Sequence, residues 1–316
     1  MSGFADISQF EAIQNASPML AETIGAVGET TYPSYVSEKL DGMRCIVDRN
    51  GLWTRTEHSL KPGMLEQFQP LVDLARDKGV VLDGEMYYPH HNDFGSLMST
   101  MAASPEEIRE KGVRFHLFDV VPEDEWEGES TESFTDRYGK YQQYAAEADP
   151  DQSYIIPVLQ TLVNTPEEAQ ALFDAVKEQE GEGIMLRSPD APYIHDRSDK
   201  LVKLKNWDSC EGVVTAVHRQ KCPIKDADEV IDGVGYKNCA GSVTVQILPD
   251  QPLPPVEQNC AFIKGDDGKQ LRKEFWENAD DIIGKVVEFQ YLRGGTKGRM
   301  ARVFRMRPDK DVLPSI

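Results

Sequence analysis

Residues 36–49 read VSEKLDGMRCIVDR, and the reading of this stretch decides the fold. Its β-rich ends and the Asp41-Gly42 pair predict strands that turn at a glycine. A lysine on such a strand, Lys39, can present its amine to a bound phosphate. To act as a nucleophile it must lose a proton, so it needs desolvation or nearby cations to lower its pKa from about 10.4. Arg44, five residues on, supplies one such cation. Taken alone, K-x-D-G-x-R fits an ordinary lysine in a β-hairpin equally well.

Working outward, GLWTRT (51–56), VVLDGEMYY (80–88) and VRFHLFDVV (113–121) read as further strands. MLEQFQPLVDLARDKG (64–79) has helical apolar spacing and a glycine stop. Ser104, Pro105 and Glu107 predict a helix start with a capping box, and Thr165 opens another helix that stops at Gly181. EGIMLR (182–187) and LVKLKNW (201–207) return to strand character. Beyond Trp207 the texture changes to EGVVTAVHRQ, GSVTVQIL, AFIKG and KVVEFQYL, short strands separated by Gly, Pro and Asp, which predicts a small closed β-domain. The expected fold is α+β, with one domain over residues 1–207 and a second over 208–316.

Carboxylates close two of the apolar runs, at Asp83-Gly84-Glu85 and at Glu182-Gly183. Together they could converge on a divalent metal beside substrate phosphates; singly, each reads as a turn residue or a cap. Phe118-Asp119 ends another run, and such a Phe is either core or a stacking platform. Lys203 and Lys205 alternate on a strand and share a face, which calls for an anion between them or for open solvent. In order the chain carries K-x-D-G-x-R, D-G-E, F-D, E-G-x-x-x-R, K-x-K and, at Arg307, Asp309 and Lys310, R-x-D-K. So many elements in one order are not a coincidence of composition.

This succession resembles the covalent nucleotidyltransferase superfamily of ATP-dependent DNA ligases, RNA ligases and mRNA capping enzymes, over nearly the whole chain from Pro18 to Lys310. The minimal DNA ligases of viruses and bacteriophages look most similar. The resemblance implies a nucleotidyltransferase domain with ATP-grasp-like antiparallel sheets, followed by an OB-fold β-barrel. By the same resemblance Lys39 attacks the α-phosphorus of ATP and forms a lysyl-AMP phosphoramidate. Glu38 would contact adenine through its backbone, Phe118 would stack on it, Glu85 would bind the ribose, and Arg44 and Arg187 would lie beside the nucleotide. Glu182 and Asp83 would organise Mg²⁺, with Mn²⁺ a substitute. Lys203 and Lys205 would hold the α-phosphate, and Arg307, Asp309 and Lys310 would turn the pyrophosphate opposite Lys39. Arg55 and Arg197 resemble arginines that grip the phosphate of a nick; outside the motif set both read as surface arginines. Segment 219–237 lies where some viral ligases carry a DNA-clasping hairpin; it is short and carries Asp226, Asp228, Glu229 and Asp232, so a reduced or absent clasp is expected.

Composition bounds these expectations. The net charge is −20, with acid dense at Glu123, Asp124, Glu125, Glu127, Glu129 and Glu132, opposed by Arg137 and Lys140. Base gathers between Lys285 and Lys310, including Arg293, Lys297, Arg299, Arg302 and Arg305. A basic stripe on an acidic body still binds phosphates. No apolar run approaches the roughly 20 residues of a membrane span, and the N-terminus lacks the features of a secretory signal. Five scattered cysteines carry no C-x-x-C pair. Neither Cys222 with Cys239 nor the loop pair His90-His91 reads as a zinc site. The chain is expected to act as a cytoplasmic monomer, bacterial or in a virus-infected cell, on nicked double-stranded DNA. The alternatives are an RNA ligase, an mRNA guanylyltransferase, or a non-catalytic nucleic-acid-binding protein built on the OB-fold.

Overall fold

The computed structural model describes residues 18–56, 58–88, 100, 103–126, 128, 130–292 and 298–310. His90, His91, Glu127, Glu129, Arg293 and Lys297 lie outside the described residues. The chain divides into two compact units, which meet in sequence at Asn206 and Trp207.

The first unit is built on two five-stranded sheets. One orders β1 (Leu20–Thr23), β10 (Arg197–Lys205), β9 (Gly183–Arg187), β2 (Ser34–Glu38) and β8 (Thr161–Val163). The other orders β4 (Gly51–Thr54), β3 (Met43–Asp48), β5 (Val80–Tyr87), β6 (Arg114–Pro122) and β7 (Ile155–Pro157). All pairings are antiparallel except β1 with β10 and β6 with β7.

The period of two along each strand sorts the side chains into layers. Ile184 and Leu186 of β9 and Val202 and Leu204 of β10 share a core with Ala169, on the helix Pro166–Glu178. Leu82 and Met86 of β5 and Phe115 and Leu117 of β6 pack with Leu71 and Ala75 of one helix and Phe134 and Tyr141 of another. Between the sheets Ile46, Trp53, Val81 and Leu201 form a smaller core around Tyr193. The odd residues of β9 and β10, Met185, Arg187, Leu201 and Lys203, therefore look into the space between the sheets, where the site lies.

Local chemistry sets the element ends. The capping box at Ser104 is present, with both reciprocal hydrogen bonds made. Thr165 accepts from the Glu168 amide at 3.3 Å. The single helix expected over 64–79 is two, α1 (Pro62–Gln67) and α2 (Gln69–Lys78), because Phe68 leaves helical geometry just before Pro70; Gly79 ends the second with φ 62°. The two long helices that went unread are Phe134–Ala148, interrupted in composition by Gly139, and Gly265–Glu277, whose first turn is Gly-Asp-Asp-Gly.

The second unit closes on itself. β11 (Asp208–Cys222) pairs with both β13 (Val234–Ile247) and β15 (Val286–Leu292); β15 pairs with β16 (Arg299–Met306), β16 in parallel with β14 (Glu257–Phe262), and β14 with β13. Five strands in a ring, with a helix between the third and fourth, make an OB-fold barrel. Val243, Val245, Phe262, Phe275, Val287, Phe289 and Val303 fill it. Segment 219–237 is a built arm: β11 and β13 run on past the barrel, and β12 (Glu229–Ile231) folds back on β13. Its acids are partly spent on the arm itself, since Glu229 pairs with Arg219 at 2.5 Å and Asp228 accepts from the Asn238 amide at 2.8 Å.

Candidate active site

The turn after β2 delivers Lys39 to the mouth of a cavity of about 220 Å³ between the two sheets of the first unit. Its amide donates to the Gly183 carbonyl at 2.8 Å, which pins the turn to β9. The two glycines of the flanking motifs are required by close approach. A Cβ on Gly42 would lie 2.2 Å from the Met86 carbonyl oxygen, and one on Gly183, at φ 142°, would lie 2.1 Å from that of Leu204.

The cavity gathers Glu38, Lys39, Arg44, Glu85, Phe118, Arg187 and Lys203, residues spread over the two sheets. Arg55 and Arg197 line it too. Six cations (Lys39, Arg44, Arg55, Arg187, Arg197, Lys203) and two carboxylates (Glu38, Glu85) thus share one wall set, on a chain of net charge −20. This local excess of positive charge marks an anion site. Among the described residues Lys203 and Arg55 have no ion pair, and the Arg197 guanidinium donates to the Ala21 carbonyl.

Glu182 sits at the lysine cluster. It accepts from the Lys39 ammonium and, at 2.9 Å, from Lys205. Burial, together with the charges of Lys205, Lys39 and Arg197, brings Lys203 down to about 8. Desolvation pushes the Glu85 carboxyl up to about 7 against the pull of Arg44 and Lys39. Phe118 lies under Arg44, whose guanidinium carbon is 4.8 Å from the ring centroid.

Asp83 differs from its expected place at a metal. It is fully buried, ion-paired with Arg44, and accepts from Tyr193 Oη at 2.6 Å. Its oxygens are spent on holding Arg44, so it positions that arginine. Arg187 is likewise tied, to Asp119, which also binds Arg137 at 2.7 Å. Arg137 is therefore no surface counter-charge to the acidic stretch: it is 0% exposed, and this buried triad joins β6, β9 and the helix Phe134–Ala148. No short motif carries such a pairing.

Arg307, Asp309 and Lys310 lie in the second unit, at the end of β16, and the structure joins them to each other. Arg307 donates to Asp309 at 2.9 and 3.0 Å. Sequence reasoning missed their partners: Glu211 binds Arg307 and, at 2.6 Å, Lys310, while Glu288 accepts from Arg307 at 3.3 Å and from Arg305 at 2.7 Å. Glu211 and Glu288 face each other across β11 and β15. The only signal was a carboxylate inside each of two apolar runs.

Among the described residues no three His, Cys, Asp or Glu side chains converge as a metal cage. Mg²⁺ is usually shared between one or two carboxylates and a substrate's phosphates, and Glu182, between Lys39 and Lys205, is the carboxylate that could hold it in that way.

Comparison with known proteins agrees with this geometry. The family model described as ATP dependent DNA ligase domain matches residues 18–205. A DNA ligase of Haemophilus influenzae is 28% identical over 188 residues, 59% of this chain and 63% of that protein. This chain thus aligns with less than two thirds of that relative's length. A prophage-derived DNA ligase-like protein of Bacillus subtilis is 27% identical over 205 residues, 63% of this chain and 70% of that one. Among solved structures, one from a study of DNA binding with a minimal scaffold by Lig E DNA ligases aligns with 93% of this chain and all of its own, at TM-score 0.68 and 24% identity. The bacteriophage T7 ATP-dependent DNA ligase, in complex with ATP, aligns with 92% of this chain and 98% of its own at TM-score 0.51 and 15% identity, a likeness of fold. Because the family model spans more than half of its length, the chain belongs to the ATP-dependent DNA ligase domain family.

Proposed function

We propose that the chain is an ATP-dependent DNA ligase that seals 5′-phosphate/3′-hydroxyl nicks in duplex DNA, working as a cytoplasmic monomer. The observation that carries this reading is the cavity itself, where Lys39, Lys203 and Arg55 meet as an excess of cations beside an aromatic platform. A nucleic-acid-binding module needs no lysine held by a carboxylate inside a nucleotide-sized cavity.

In the first step the Lys39 amine attacks the α-phosphorus of ATP; the N–P bond forms as the P–O bond to pyrophosphate breaks. The ammonium must first give up a proton, and Glu182, already accepting its hydrogen bond, is the acceptor within reach. Lys203 and Lys205 neutralise charge that develops on the α-phosphoryl oxygens. Mg²⁺, held by Glu182 and the phosphates, would supply further neutralisation of the same charge. Glu85 receives the ribose hydroxyls, and Phe118 and Met185, from different sheets, face the base. Arg307, Asp309 and Lys310 serve the departing pyrophosphate. AMP then passes to the 5′-phosphate of the nick, where Arg55 and Arg197 hold that phosphate, and the 3′-hydroxyl displaces it.

The test incubates purified protein and its Lys39→Ala variant with Mg²⁺ and α-labelled ATP, GTP or NAD. Label from ATP alone, lost in the variant and chased into sealed nicked duplex, supports the reading. Label chased only onto RNA ends, or label from GTP, moves the chain to an RNA ligase or a guanylyltransferase. No label at all leaves a binding module.

A further inference from the structure

We propose that Gln160 is the residue that selects adenine, by accepting a hydrogen bond from the exocyclic amine of the base; this rests on the cavity's being the nucleotide site. Gln160 lies on the cavity wall. It stands one step before β8, whose register against β2 (Val36 opposite Thr161, Tyr35 opposite Leu162) brings it across from Ser37. Ser37 faces Met185 on β9, and Met185 faces Lys203 on β10. The row Lys203, Met185, Ser37, Gln160 thus crosses four strands, roughly 14 Å at the usual strand spacing. That is the span of a nucleoside monophosphate, with cations at one end and an amide at the other. A phosphate held at Lys203 leaves the base toward Gln160.

Two tyrosines of the helix Phe134–Ala148 hold Gln160, one by its side-chain amide and one by its backbone. Tyr141 donates its hydroxyl hydrogen to the Val158 carbonyl at 2.6 Å. It therefore has only lone pairs left for Gln160, and the Gln160 Nε2 donates to it at 3.2 Å. Tyr138 accepts from the Gln160 backbone amide at 3.1 Å. Among the described residues nothing donates to Gln160 Oε1. The result is an acceptor of fixed sense on the base end of the cavity. Adenine offers a donor at its 6-position; guanine and hypoxanthine offer an oxygen there. Turning the amide over to suit that oxygen would set Oε1 against Tyr141, whose hydrogen would have to leave the Val158 carbonyl. The Tyr141 hydroxyl, committed to the Val158 carbonyl, makes the reversal costly, and that cost is the selectivity.

Covalent labelling of the full chain by α-labelled ATP and ITP isolates the 6-position, since the two bases differ only there and at the N1 hydrogen that follows from it. The ratio of ATP to ITP labelling efficiency is expected to fall about tenfold in Gln160→Leu, one hydrogen bond's worth. It should fall in Tyr141→Phe as well, where the amide is free to turn, and stay near wild type in Gln160→Glu, which keeps the acceptor. The loss should appear in the KM for ATP. Equal losses with both nucleotides, leaving the ratio intact in Gln160→Leu and Tyr141→Phe, overturn the proposal while Lys39-dependent label upholds the nucleotide site. Wild-type protein that takes no label from either nucleotide overturns both.

Discussion

Each unit holds carboxylates against the basic residues of a motif, and the two arrangements differ in balance. In the first unit Glu182 serves both Lys39 and Lys205, while Lys203 and Arg55 stand without ion pairs among the described residues. In the second, Glu211, Glu288 and Asp309 meet Arg305, Arg307 and Lys310, three acids to three bases. An under-neutralised cluster stores repulsion that an incoming phosphate relieves. A neutralised one stores nothing, and its cations reach another anion only by leaving Glu211 and Glu288. The first is built to receive a ligand; the second is built to stay where it is until something competes.

Removing Lys39, the proposed nucleophile, breaks the comparison most completely. Lys39→Ala should lose covalent AMP altogether while retaining the wild-type circular dichroism spectrum; residual label on the variant would assign the nucleophile elsewhere. Glu182→Gln keeps the shape and removes the charge that both lysines share. Single-turnover labelling should slow by about 10²–10⁴-fold, the range for a lost proton acceptor, and a rate within twofold of wild type would free Glu182 of that role.

Glu211→Gln probes the balanced cluster and should act on stability before chemistry. A half-neutralised network on the barrel melts earlier, because two cations lose a buried partner. A calorimetric scan should show the transition lowered by several degrees; an unchanged scan would show that Glu288 and Asp309 suffice.

The pH dependence sharpens the first cluster from the opposite side. Lys203 releases its proton near pH 8 in the folded chain, against an ordinary value of 10.5. Its charged form costs stability in full below pH 8, and the cost fades as pH rises from 8 to 10.5, where the unfolded chain alone still holds the proton. Lys203→Met should therefore raise the melting temperature at pH 7 by roughly 2–4 °C, with the gain gone near pH 10.5. Glu85 follows the reverse course. With its carboxyl at about 7, folding loses stability as pH climbs from the ordinary carboxylate range to 7. Glu85→Gln should be the more stable protein at pH 8 and the poorer one with ATP, a pairing that thermal scans and labelling together will show or refute.

Much of the first cluster was legible in the sequence because its members lie within or directly beside strands. Lys39 and Glu182 stand just outside the ends of β2 and β9, where a glycine marks the turn, and Glu85, Phe118 and Lys203 lie within β5, β6 and β10, where period-two alternation assigns a face. What escaped was whatever depends on a partner distant in sequence. Arg137 reads as a surface charge among acids, yet it is buried because Asp119 and Arg187 arrive from other elements. Asp83 has the sequence neighbours of a metal ligand and the spatial neighbours of an arginine's anchor. Glu211 and Glu288 sit in runs too apolar to advertise a function. The helix Phe134–Ala148 carries its apolar face in tyrosines and alanines, which a count of aliphatic residues passes over.

The parallel ladder of β1 on β10 also sets a timetable. Leu20 pairs with Arg197, so the first strand described waits for the last strand of its unit. During synthesis the lysine-bearing turn leaves the ribosome well before β10, and the sheet that supports it cannot close until residues near Lys205 have emerged. Such a high contact order favours slow, late assembly, and it exposes the edges of β2 and β9 to wrong partners in the interval. The β11–β13 hairpin closes among near neighbours and has no such wait. A nascent chain stopped short of β10 would carry Lys39 without a cavity to put it in.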